Sequence, residues 1–159
     1  GVKCIEWSYD PMVARNAHFN INRLGVEIVD YIPDFYLHTG SKIHTLKMDR
    51  TIAAWNLDSA GVIARIDTRI APLPVDDAAI INNPDGSTKL DSLAPGVTVR
   101  VEIPADIWAI AADDHEAANA WQSGVRASFT NAIAAGFTVT GFYRDSDTGR
   151  CFYVLSNTA

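Results

Sequence analysis

Between Asp10 and Gly25 the chain sets Arg15, Asn16, His18, Asn20, Asn22 and Arg23 close together, within roughly two turns of a helix. Amides both donate and accept hydrogen bonds, an imidazole exchanges a proton near neutral pH, and a guanidinium holds anions. Asparagine competes with the backbone for hydrogen bonds and is a poor helix former, so three of them in one helix need a reason. One reason is a solvated face with an N-terminal cap. The other is a row of amide and imidazole groups facing a polar ligand beside a sheet edge. Asp10 either terminates the preceding strand or offers its carboxylate to an amine. His18 is either an ordinary helix residue or an acid–base group, and Tyr36 either a core aromatic or a proton donor.

These residues depend on the elements around them. Val2 to Tyr9 carries apolar groups on both faces and predicts an inner strand covered on both sides, with Cys4 a buried thiol. Asp10-Pro11 ends it, and Pro11 suits the first position of a helix that closes at Gly25. Val26 to Ile32 predicts a second strand, with Val26, Ile28 and Ile32 facing opposite to Val29 and Tyr31. A loop with His38 and His44 follows; the two histidines have no Cys or acidic companion and make no metal site. Thr51 to Leu57 predicts a strand, and Asp58-Ser59 caps a short helix over Gly61 to Ile66.

Asp67 to Pro95 is the least patterned stretch, with a turn at Asn82-Asn83-Pro84-Asp85-Gly86 between two short strand candidates. Val97 to Ile103 alternates cleanly as a strand whose polar face includes Glu102, a further candidate amine ligand. Asp106 caps a short turn, and Asp113 with Glu116 forms a capping box for a long helix with Trp121, Val125, Phe129 and Ile133 along its core face. Phe137 to Tyr143 and Cys151 to Leu155 make a hairpin. The organisation is α/β (α+β): a half-domain over 1–56, an irregular connection over 57–96 and a β-α-β-β lobe over 97–159. No internal repeat stands out in the sequence.

The chain has 159 residues, 48% hydrophobic and 20% charged, which is globular composition. A net charge of −6 disfavours general nucleic-acid binding, and no apolar run is long enough to span a bilayer. The two cysteines, far apart in sequence, fit free thiols in a reduced, cytoplasmic setting. Ser-His-Asp order, a CxxC pair and a P-loop are all missing, which leaves hydrolase, zinc-site and NTPase readings without support.

The runs W-S-Y-D-P from Trp7, R-N-A-H-F-N-I-N-R-L-G from Arg15 and Y-I-P-D-F-Y from Tyr31 resemble the fifth strand, fourth helix and sixth strand of a group of GNAT superfamily acyltransferases. D-R at Asp49, W-N-L-D-S at Trp55, V-E-I-P-A-D-I at Val101 and G-F-T-V-T-G-F at Gly136 agree in order with the same group. The superfamily's phosphate-binding signature, Q/R-x-x-G-x-G/A, has no counterpart here, so the likeness is to the C-terminal part of such an enzyme. The resemblance implies a GNAT-like half-domain and an N-acyltransferase that uses acetyl-CoA or another acyl-CoA. It implies a small-molecule amine or amino acid as acceptor, and an N-terminal half chain or a homo-oligomer to cover the open strand edge. In that family the pantetheine arm lies between two splayed strands like an extra strand, and Cys4 to Tyr9 is the second of them. Asn16, Asn20 and Arg23 then contact the cofactor, and Asp10 and Trp7 the substrate. The family's general-acid tyrosine falls near Ile21 and Asn22, so Tyr36 or His18 has to substitute. A non-catalytic binding or assembly subunit of the same fold is the alternative.

Overall fold

A computed structural model of the chain describes residues 1–35, 48–68 and 71–158. Among these the fold is mixed α/β, with two sheets and four α-helices. The first sheet joins β1 (Cys4–Tyr9), β2 (Glu27–Ile32) and β3 (Arg50–Asn56) in the order β1-β3-β2, antiparallel throughout. Between β1 and β2 runs α1 (Ala14–Ala17), which widens into a π-helical segment over His18–Leu24. After β3 comes α2 (Ala60–Asp67), where Ser59 accepts the Val62 N–H as its cap. The second sheet takes β4 (Ala79–Ile80), β5 (Thr98–Ile103), β6 (Thr138–Arg144) and β7 (Cys151–Ser156) in the order β4-β5-β7-β6. Helices α3 (Ile107–Asp113) and α4 (His115–Ala134) lie between β5 and β6.

Several local expectations change in three dimensions. β1 is an edge strand, not an inner one, because β3 takes the centre of its sheet; residues 1–6 are exposed, Cys4 among them. Pro11 sits in a turn ahead of the helix, which starts at Ala14 with Val13 as its N-cap. The cap of α4 is Asp114, whose side chain accepts the Ala117 N–H at 3.0 Å, since α3 extends through Asp113. Trp121 is only half-buried, whereas Val125 and Phe129 are fully buried, because a four-residue stripe drifts around the helix. In β2 a bulge between Ile28 and Asp30 advances the pleat by one residue, so Tyr31 turns inward and Val29 outward.

The two sheets contain the same unit twice, which the sequence does not reveal. In each, a strand, a helical passage and two further strands assemble with the last strand in the middle. The rungs correspond: Glu6–Ala54–Glu27 with Thr98–Ser156–Thr138, and Trp7–Ala53–Ile28 with Val99–Leu155–Val139. After one bulge in each second strand follow Ser8–Ile52–Asp30 with Arg100–Val154–Gly141, and Tyr9–Thr51–Tyr31 with Val101–Tyr153–Phe142. Gly25 (φ 70°) and Gly136 (φ 83°) end the helical passages in the left-handed conformation, each two residues before its first rung. Side chains at equivalent places differ, which hides the repeat from a reading by residue type.

One continuous core serves both units. Phe129 of α4 stacks on Tyr31 of the first sheet (centroids 5.1 Å apart) and meets Tyr153 of the second edge-on at 5.0 Å. Phe129→Ala removes that shared ring, and we expect a loss of about 3–5 kcal/mol in urea denaturation. Near-UV and far-UV signals should move together to the lower midpoint. Two separated transitions in the parent chain would contradict a shared core.

Candidate functional site

Both indoles of the first sheet that face the helix use their N–H groups on it. Trp7 Nε1 donates to Asn20 Oδ1 at 2.8 Å and Trp55 Nε1 to the Leu24 carbonyl at 3.0 Å. The amide of Asn20 in turn donates to the Asn16 carbonyl at 2.9 Å. This side-chain bond competes with the backbone ladder, and over the same stretch the helix opens into its π turn, where the Gly25 N–H reaches back to the Asn20 carbonyl. Asn22 is buried too; its amide donates to the Phe142 carbonyl of β6 at 2.8 Å and meets His18 Nδ1 at 3.1 Å. Because that amide nitrogen is only a donor, His18 Nδ1 accepts and its proton sits on Nε2.

The helix therefore divides. Asn20 and Asn22 point inward and join the helix to β1 and β6. Asn16 is half-buried, and Arg15, His18 and Arg23 are exposed. Trp7, Asn16 and Asn20 come together as one hydrogen-bonded chain, while Arg23 lies at the other end of the helix and is not part of it. Tyr36 lies outside the described residues, as do His38 and His44.

At the end of β1 a second polar group forms around Asp10. The Asp10 carboxylate accepts the Met12 N–H at 2.9 Å, and burial raises its pKa above the ordinary carboxylate value despite that bond and the nearby Arg50. Arg50 donates to the Ser8 hydroxyl and carbonyl at 3.1 and 2.7 Å. Beneath them Tyr153 donates its hydroxyl to the Pro11 carbonyl at 2.8 Å and lies 3.4 Å from the Tyr9 hydroxyl. Burial pushes Tyr9 up to about 12 and Tyr153 well above its usual value, so both phenols stay protonated.

Alongside, Asp49 accepts the Tyr31 hydroxyl at 2.7 Å, and Arg126 of α4 grips both Asp49 and Asp34. Burial works against the charge on Arg126, but the bonds to the two carboxylates outweigh it and raise its pKa. Sequence reasoning passed over Tyr31, Asp34 and Arg126. The Asp49-Arg50 pair was visible as a motif, but nothing local marks Arg126, which lies 77 residues from Asp49. Glu102 is not free for an amine, because its carboxylate is held by Arg150 at 2.8 and 2.6 Å.

Among the described residues no three His, Cys, Asp or Glu side chains gather as a metal site, and no helix is long and apolar enough to cross a membrane. No family model, curated protein or solved structure matches the chain.

Two outcomes follow for stability. Arg126→Met leaves the fully buried Asp49 side chain without its cation and should cost about 3 kcal/mol in urea melts; adding Asp49→Asn should recover part of that loss. Asp10 has a raised folded-state pKa, so the folded chain holds this proton more tightly than the unfolded chain does. Its contribution favours folding at low pH and is lost as pH rises through the folded-state value. Asp10→Asn keeps an acceptor for the Met12 N–H and should melt at or above the parent's temperature at pH 7. The gap should shrink as pH falls through the carboxylate range; a variant that melts well below the parent at pH 7 contradicts this.

Proposed function

We propose that the chain is part of an acyl-CoA-dependent N-acyltransferase of GNAT type, moving an acetyl or succinyl group onto an amino acid or small amine with the help of a partner chain. Acyl transfer from a thioester needs a donor for the carbonyl oxygen, a hydrogen bond or proton for the leaving thiolate, and an amine free of its proton. The observation that carries the reading is β1: an edge strand flanked by a π-distorted polar helix, with a half-buried carboxyl at its end. A pantetheine arm lying along such an edge would find the outward-facing backbone groups of β1 and the half-buried Asn16. His18 is the described residue best suited to the thiolate, since Asn22 directs its remaining N–H to the exposed side. Asp10 is the group to hold the incoming amine.

A second reading, a non-catalytic binding or assembly subunit, is favoured by the inward use of Asn20 and Asn22. Their amides are spent on Trp7, the Asn16 carbonyl, His18 and Phe142, which leaves fewer groups for a cofactor. Calorimetric titration of the natively purified assembly with acetyl-CoA and succinyl-CoA separates the two. Saturable binding that weakens about tenfold in Asn16→Ala, with the fold intact by circular dichroism, supports the transferase; a tenfold loss equals about 1.4 kcal/mol. An assembly that binds neither thioester removes the transferase reading and leaves the binding subunit.

A further inference from the structure

Sheet edges invite pairing, and folded chains usually guard them with short strands, bulges or charges. Among the described residues three of the four edges are guarded in this way. β4 has only two residues, and β2 and β6 each carry a bulge. β1 has neither shortness nor a bulge: it has six residues, no proline or glycine, an unbroken register on β3, and Glu6 as its one charged side chain. The Leu57 N–H bonds to the Lys3 carbonyl, which sets the alternation: Ile5, Trp7 and Tyr9 turn their backbone groups to β3, and Cys4, Glu6 and Ser8 turn theirs away. Among the described residues, the Ser8 carbonyl is the one outward group that is held, by the Arg50 guanidinium.

The second unit shows what occupies the equivalent edge. There β4 pairs parallel to β5, Ala79 opposite Val99 and Ile80 opposite Arg100, and the Ile81 N–H bonds to the Arg100 carbonyl at 3.0 Å. One rung further, the side-chain amide of Asn82 bonds both the N–H and the carbonyl of Glu102, at 2.8 and 2.9 Å, in place of a strand backbone. By the rung correspondence, Val99 and Arg100 stand where Trp7 and Ser8 stand in the first unit. At the equivalent places Val99 is 1% exposed where Trp7 is half-buried, and Val101 and Tyr9 are both buried; Ile5, nearer the start of β1, is 42% exposed. Ile5 shares the Trp7 face of the strand by alternation, and Phe19, beside Asn20 on the helix, is 54% exposed.

We propose that the outer edge of β1 docks one extended strand of a partner polypeptide, parallel to β1, paired over Glu6 to Ser8 and bringing apolar side chains toward Ile5 and Phe19. The direction follows from β4 on β5. It disfavours a second copy of this chain, because two β1 strands related by a two-fold axis perpendicular to the sheet run antiparallel. The proposal rests on the repeat and the open edge, not on acyl transfer; a strand paired over Glu6 to Ser8 takes up those outward backbone groups, which leaves a pantetheine arm on the same assembly only the helix side, with Asn16.

Hydrogen exchange read by mass spectrometry tests it, comparing the recombinant chain alone with the assembly purified natively from the cells that produce it. The outward amides of Glu6 and Ser8 should exchange fast in the lone chain and about 100-fold or more slower in the assembly, whereas the amides of Trp7 and Tyr9 are protected in both. Glu6→Pro removes an outward N–H without touching the ladder to β3. It should release the partner in native mass spectrometry while circular dichroism stays that of the parent; Glu6→Gln should retain the partner. Three results would overturn the proposal: a native species that is a lone chain with fast Glu6 and Ser8 exchange, a partner retained by a folded Glu6→Pro variant, or a homodimer cross-linked through Cys4 with β1 strands antiparallel. Slow exchange together with no thioester binding would sustain the docked strand and remove only the transferase.

Discussion

The side of α4 that carries Phe129 and Arg126 holds this molecule together. Phe129 is fully buried between an aromatic ring of one sheet and an aromatic ring of the other, so neither sheet has a complete core without it. One turn earlier Arg126 reaches from the same helix to Asp34 and Asp49, which stand just after β2 and just before β3. The apolar contact supplies most of the stabilisation, and the ionic one fixes where the helix lies along the first sheet. A buried carboxylate such as Asp49 tolerates no displacement of its cation, so the ion group acts more as a positioning device than as a source of net stability.

That arrangement has a consequence for the polar helix. With the second sheet locked in place, β6 runs close enough for its Phe142 carbonyl to take a hydrogen bond from Asn22, and Trp7 takes up Asn20 from the other side. The amides that look in sequence like a row aimed at a ligand are mostly the means by which helix and strands are joined. What stays available is the outer part of the helix, His18 and Asn16 above all, and the Asp10 carboxyl, which is held at some cost in its charged form. A carboxylate kept in an unfavourable setting beside an open strand is the kind of local conflict that functional sites often retain.

The repeat of one β-α-β-β unit gives the molecule an internal comparison. The second copy is closed: its outer edge is covered by β4 and Asn82, its Glu102 is paired with Arg150, and β5 and β7 are mostly buried. The first copy keeps the same strand order, a bulge at the matching place and the same left-handed glycine, but among the described residues its outer edge has no such cover.

Periodicity and turn chemistry were enough to find most of the elements. The strands at β1, β2, β3, β5, β6 and β7, the ends of the helices at Gly25 and Gly136, and the Ser59 and Asp106 caps all follow from local rules of alternation, chirality and capping. The polar character of the helix and the Asp10 carboxyl were also readable, because they are matters of residue type. What those side chains face was not. Whether Asn20 looks outward or toward Trp7, whether β1 is central or at an edge, and whether Glu102 is free depend on partners tens of residues away. Arg126 carries no local signal at all, since a guanidinium in a helix reads as solvated until the fold brings two carboxylates to it. The repeat escaped for the same reason: strand order and register are relations between distant segments, and different side chains satisfy them equally well.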